Sequence, residues 1–254
     1  MKNIFKLIVI LFLCISAIKI QAQKPISVVV AANLKPAMDS ISTIYKKQYP
    51  SEKVQITYGA SGKFYEQIIN SAPFDVFFSA DMDLPTKLKN AKFGISPVKM
   101  YAVGKLALWS KKVDVTNLKM NALLNANKIA IANPATAPYG AKAIESMKYF
   151  KLYNKVKPNL VYGDNIAQAA QFVQFGAADV GIIALSEALS PAMKKEKGKY
   201  FVISENSYKP LEQGVVILKH AKGNASAINF YNFISSEKAV AILTYFGYAQ
   251  KAKK

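Results

Sequence analysis

Residues 27–78 read SVVVAANLKPAMDSISTIYKKQYPSEKVQITYGASGKFYEQIINSAPFDVFF, and this stretch decides the fold class. Ser27 to Ala31 is a short β-branched run without a polar face, which fits a strand buried on both sides. From Leu34 to Tyr49 the apolar residues Leu34, Ala37, Met38, Ile41, Ile44 and Tyr45 recur at helical spacing. Val54 to Tyr58 reads as a second strand, Phe64 to Ile69 as the body of a helix, and Asp75 to Phe78 as a third strand. The order β-α-β-α-β predicts an α/β fold with a mainly parallel sheet and helices on both faces.

The same plan returns further along. Lys128 to Ala132, Leu160 to Tyr162 and Val180 to Ala184 read as strands, with helices over Ala141 to Phe150 and Ile166 to Phe175. Two extended apolar segments, Met100 to Ser110 and Gly214 to Lys219, flank this second unit. They imply that the chain leaves a first domain, builds a second and returns. The expected division is 23–103 with 216–254 for the first, discontinuous domain and 104–215 for the second. Ala225 to Phe246 reads as a helical tail.

The N-terminus carries Lys2 and Lys6, an apolar run from Leu7 to Ile18, and Ile20-Gln21-Ala22 before Gln23. The run is too short to span a bilayer, which needs roughly 20 apolar residues. Residues 1–22 therefore read as a signal peptide, cleaved after Ala22. Cys14, the single cysteine, lies inside it and is preceded by Leu13, not by the small residue a lipid anchor wants. The mature chain is expected to be soluble and periplasmic, without disulfide or thiolate metal site.

The formal charge is +19, of which Lys2, Lys6 and Lys19 in the signal supply three. The basic residues are all lysine and lie scattered along the chain, with no arginine to fork onto a base edge. A solvated lysine surface that draws anions at long range fits better than a nucleic-acid site.

Four loops follow strand ends, where ligands of open α/β sheets bind. They are Ala31-Ala32-Asn33-Leu34, Tyr58 to Lys63 with Ser61 and Gly62, Asn133 to Gly140 with Tyr139, and Gly163-Asp164-Asn165-Ile166. Asn33, Ser61 and Asp164 are expected helix caps, and Asn33 and Ser61 can also donate to a ligand. A helix N-terminus offers free N–H groups and about half a positive charge. Four such ends suit a deprotonated oxyanion, which only accepts hydrogen bonds.

The motifs AANL (31–34), GASGKFYEQI (59–68), APFDVFFSAD (72–81), NPATAPYG (133–140), VYGDNIAQA (161–169) and GAADVGIIALSEA (176–188) share their order and spacing with one family. The chain resembles the periplasmic molybdate-binding proteins of bacterial ABC importers over nearly its whole mature length. The resemblance implies the two-domain periplasmic binding-protein fold of type II, with mixed, mainly parallel sheets and a ligand cleft between the domains. It implies capture of molybdate, and of tungstate, for an ABC importer permease, by a monomer that needs no cofactor and no metal beyond the molybdenum held through its oxygens. By motif position the ligand residues are Asn33, Ser61, Tyr139 and Ile166. Some relatives carry a ligand tyrosine where this chain has Ala184, and the Tyr139 hydroxyl is a candidate replacement.

Two other readings compete. Sulfate and phosphate are tetrahedral too, and phosphate would want a carboxylate acceptor, for which Asp164 is the candidate. A serine hydrolase would need Ser61 and the single histidine, His220, but GASGK lacks the second glycine of a nucleophile elbow. His220 reads as a surface residue, Lys63 as leaning into solvent, Asp81 and Asp83 as a solvated helix start, and Trp109 as core and hinge packing.

Overall fold

The computed structural model describes residues 25–250; the signal segment and Cys14 lie outside the described residues. The chain runs β1 (Ile26–Ala31), α1 (Lys35–Gln48), β2 (Val54–Gly59), α2 (Ser61–Ile69), β3 (Val76–Phe78), α3 (Asp83–Asn90) and β4 (Lys99–Gly104). It continues through β5 (Leu106–Ser110), β6 (Ile129–Ala132), α4 (Pro138–Tyr149), β7 (Leu160–Gly163), α5 (Ile166–Gln174), β8 (Val180–Ala184) and β9 (Lys199–Val202). It closes with β10 (Leu211–Ile217), α6 (Ala225–Phe233) and α7 (Glu237–Tyr245), and short helical turns fill several connections. None of the described helices is long and apolar enough to cross a membrane.

Two five-stranded sheets result, in the orders β2-β1-β3-β10-β4 and β7-β6-β8-β5-β9. In each, four strands run the same way and one runs against them: β10 in the first sheet and β5 in the second. The sheets share one plan because the βαβαβ half repeats. Strands β1 and β6 are central and buried, as their β-branched or small apolar residues require.

The chain first passes from one sheet to the other between Gly104 and Leu106. β10 pairs with β4 from Leu211 onward, so residues 211–215 belong to the first sheet and the boundary lies before Leu211, not at 215/216. The shift has a local cause: the polar pair Glu212-Gln213 hides the start of a strand whose register breaks beside Gly214. The tail is two helices, because Ser236 caps α7 by accepting from the Ala239 N–H. Trp109 packs against Gly198 inside the second domain, where a Cβ on residue 198 would come within 2.1 Å of the indole. It is a core residue of that domain, not a hinge residue.

Glu187 sits in the turn Leu185–Ala188 of the second domain, beside Lys35 and Asp39 of α1. It is 8 % exposed, and its Oε1 has no partner. Burial pushes its carboxyl up to about 8; Lys35 opposes the shift and Asp39 adds to it. A folded pKa above the ordinary 4.5 means the native state holds the proton more tightly, so stability falls as pH rises from about 4.5 towards 8. Glu187→Gln is expected to raise stability at pH 7 by about 1–2 kcal/mol. Thermal melts at pH 7 and pH 4.5 check this, since the gain should vanish at the lower pH.

Candidate functional site

The carboxyl ends of β1, β2, β6 and β7 point into one cleft, and the domains meet across it. Gly62 N–H donates to the Thr136 carbonyl at 2.8 Å, from α2 of one domain to a loop of the other. A Cβ on residue 62 would lie 2.8 Å from that carbonyl oxygen, so glycine permits the approach. Ser186 Oγ donates to the Asn33 carbonyl at 2.7 Å, a second bridge. Lys63 and Asp164 pair at 3.2 Å on the rim, about half and two-thirds exposed.

Between the domains lies a narrow cavity. Asn33, Ser61, Tyr139 and Ile166 all line it, with Ala60, Ala80 and Asn165. No carboxylate and no lysine does. Tyr139 and Ile166 are the second and first residues of α4 and α5, so their N–H groups have no acceptor within their helices. Pro138 costs α4 nothing at its first position, where an N–H would be unpaired anyway.

The expected caps are corrected by this geometry. Asn33 falls inside a 3-10 turn, Ala32–Leu34, before α1 begins, and caps nothing. Its Nδ2 donates instead to Gln213 Oε1 and the Tyr248 hydroxyl, both at 2.9 Å. Ser61 is the first helical residue of α2, after Ala60 in extended conformation, so its side chain makes no cap bond. Its Oγ accepts from the buried Ala80 N–H at 3.0 Å, which leaves the hydroxyl hydrogen free for the cavity. At α5 the cap is Asn165, which accepts from Gln168 N–H. Asp164 is turned to Lys63 on the rim and is not among the cavity-lining residues. The Tyr139 hydroxyl accepts from Gln213 Nε2 at 3.1 Å. It lies against Gly104, where a Cβ would approach it to 2.0 Å.

The sequence reading missed Tyr101, Ser186, Gln213 and Tyr248, which form a buried polar cluster behind Asn33. The available signal was faint: one glutamine at the head of an apolar strand.

His220 and Ser61 occupy opposite ends of the first sheet. His220 Nδ1 lies 2.8 Å from Oδ1 of the buried Asp75, just before β3, whereas Ser61 follows the carboxyl end of β2. His220 borders a separate groove with Ile68, Phe74 and Phe93. The groove is larger than the cleft but shares no residue with it. Asp81 Oδ1 accepts from Leu84 N–H and so holds the start of α3. Among the described residues no three His, Cys, Asp or Glu cluster to hold a metal ion.

Lys63→Ala is expected to weaken anion binding less than about fivefold, because an exposed ion pair contributes at most about 1 kcal/mol. Titrations at low and high salt check it. A hundredfold loss would put the ammonium against the anion.

Two α/β domains apposed over a small cavity lined by neutral groups define a solute-binding protein. The chain belongs to the bacterial extracellular solute-binding protein family, whose model matches residues 26–249. It is 37 % identical to the molybdate-binding protein ModA of Azotobacter vinelandii over 88 % of this chain and 89 % of that one. It is 36 % identical to ModA of Rhodobacter capsulatus over 86 % of each. The solved periplasmic molybdate-binding protein of Azotobacter vinelandii superposes with a TM-score of 0.83, covering 89 % of this chain and 99 % of that one. This family is a class of binding proteins, not of enzymes.

Proposed function

We infer that this protein captures molybdate, and tungstate with it, outside the cytoplasmic membrane and hands it as a monomer to an ABC importer permease. Its relatives named for molybdate support the ligand, and the N-terminal signal pattern supports export to the periplasm. The carrying observation is the cavity: two helix starts and the Ser61 hydroxyl bring N–H and O–H groups to it, and no carboxylate is among its lining residues. Ser61 donates through hydroxyl and amide, and Tyr139 and Ile166 through backbone N–H groups, with the Asn33 side-chain amide beside them at the cavity. Such a site suits an anion without protons. Hydrogenphosphate carries one near neutral pH and would want a buried acceptor.

Thermal melts with increasing molybdate, tungstate, sulfate and phosphate test the inference. Ligand that binds only the folded state raises the melting temperature by mass action, about 2.7 kcal/mol of stabilisation at a hundredfold excess over Kd. Molybdate and tungstate should shift the melt at concentrations where sulfate and phosphate do not. A shift with sulfate or phosphate alone would assign the site to those anions.

A further inference from the structure

Asn33 is buried and lines the cavity, yet its donor end is turned away into the polar cluster between the domains. Its Oδ1, at the opposite end of the amide, is buried with no partner. With both Nδ2 hydrogens given to Gln213 and Tyr248, Asn33 has no side-chain donor left for an anion, and its free Oδ1 would repel one, so the amide must present its other end when the site is filled.

We propose that Gln213 is a positioning residue that sets which end of the Asn33 amide faces the cavity, and that anion binding turns both amides over together. The proposal rests on the oxyanion reading of the site and deepens it.

Half-turns of the two amides exchange N and O at fixed positions, so the observed distances carry over. Gln213 Nε2 then stands 2.9 Å from Asn33 Oδ1 and 2.8 Å from the Tyr101 hydroxyl, and donates to both. Tyr101 gives its own hydrogen to the Ser79 carbonyl at 3.1 Å. Gln213 Oε1 stands 3.1 Å from the Tyr139 hydroxyl and accepts from it. The Tyr248 hydroxyl, 2.9 Å from Asn33, donates to Oδ1, while Ser186 keeps the Asn33 carbonyl. Asn33 Nδ2 now points where Oδ1 was, with two hydrogens for the anion. Every buried group in this arrangement has a partner once the anion is present, which satisfied polar networks require.

Gln213 suits this role chemically. It is fully buried, and its side chain both donates and accepts, so it can complement either orientation of Asn33. It sits on β10, just after the return crossing, and its amide joins Asn33 and Tyr101 of one domain to Tyr139 of the other. The same turn selects the anion. Oδ1 towards the cavity accepts the proton of hydrogenphosphate, and Nδ2 towards it favours an anion with none.

A double-mutant cycle read by calorimetric titration with molybdate tests the proposal. Gln213→Leu removes the donor that holds Asn33 Oδ1. In the otherwise unchanged protein it should weaken molybdate binding at least tenfold. Asn33→Ser puts a freely rotating hydroxyl at the cavity wall, which needs no orienting partner. In that background Gln213→Leu should weaken binding less than about threefold. Equal losses in both backgrounds would make Gln213 a packing residue and overturn the proposal. Where either variant fails to fold or to bind, the side-chain amide NMR signals of Asn33 and Gln213 in the unsubstituted protein decide. Both pairs should move on addition of molybdate, and two unmoved pairs overturn the proposal. If the unsubstituted protein takes no molybdate, the ligand reading fails instead, and the cycle is run with sulfate.

Discussion

Gly62→Ala is expected to weaken molybdate binding roughly ten- to a hundredfold while leaving the ligand-free protein as stable as before, or more so. The two effects have separate causes. The new methyl group would lie 2.8 Å from the Thr136 carbonyl oxygen and 3.0 Å from its Cα, both backbone atoms of the other domain. Backbone cannot swing aside as a flexible side chain does, so the domains must part. Overpacking of this kind costs about 1–3 kcal/mol, or up to roughly a hundredfold in affinity. The Gly62 N–H to Thr136 carbonyl bond stretches with it. Within α2 the same substitution is favourable, since alanine exceeds glycine in a helix by about 0.5–1 kcal/mol. Gly62 has no positive φ that would turn this gain into strain. Calorimetric titration and ligand-free melts measure the two effects. Unchanged affinity would mean that the domains of the loaded protein stand further apart than here.

Ser61→Ala should lower both affinity and ligand-free stability. The hydroxyl accepts from the buried Ala80 N–H, and its hydrogen remains for the anion. Removing it takes away a charge-assisted bond, about 1.5–3 kcal/mol, so affinity should fall roughly ten- to a hundredfold. It also leaves the Ala80 N–H buried without a partner, which costs about 1–3 kcal/mol with or without ligand. The melting temperature should therefore drop by several degrees in the absence of anion. Ser79→Ala is the comparison: its Oγ serves Asp81, outside the cavity lining, and its loss should change affinity little. A Ser61→Ala protein that melts lower but binds molybdate as tightly would reduce Ser61 to support for the Ala80 loop.

The two predictions separate the ways a residue can serve this cleft. Gly62 acts by what it lacks, and its effect exists only with the domains together. Ser61 acts by a hydroxyl used on both sides at once, so its loss is felt in both states. Lys63, one residue further along α2, pairs with Asp164 at an exposed rim and is expected to matter least.

The two α/β halves and the loops that face the cleft can be read from the chain alone, and Asn33, Ser61, Tyr139 and Ile166, which line the cavity, lie in those loops. These were legible because hydrophobic periodicity, helix-start chemistry and motif order are local properties of the chain. Local reading erred where one residue of shift reverses a role. Asn33, Ser61 and Asp164 are one or two positions from the cap of the next helix, and backbone dihedrals, not residue type, decide which residue caps. The tertiary structure alone decided what Asn33 touches. Gln213 and Tyr248 stand 180 and 215 residues away from it in sequence, and nothing local in a glutamine or a tyrosine tells that the return strand and the tail will bring them behind one amide. The same holds for Gly62 against Thr136: a contact between domains has no periodicity to read, because it depends on how two finished units meet.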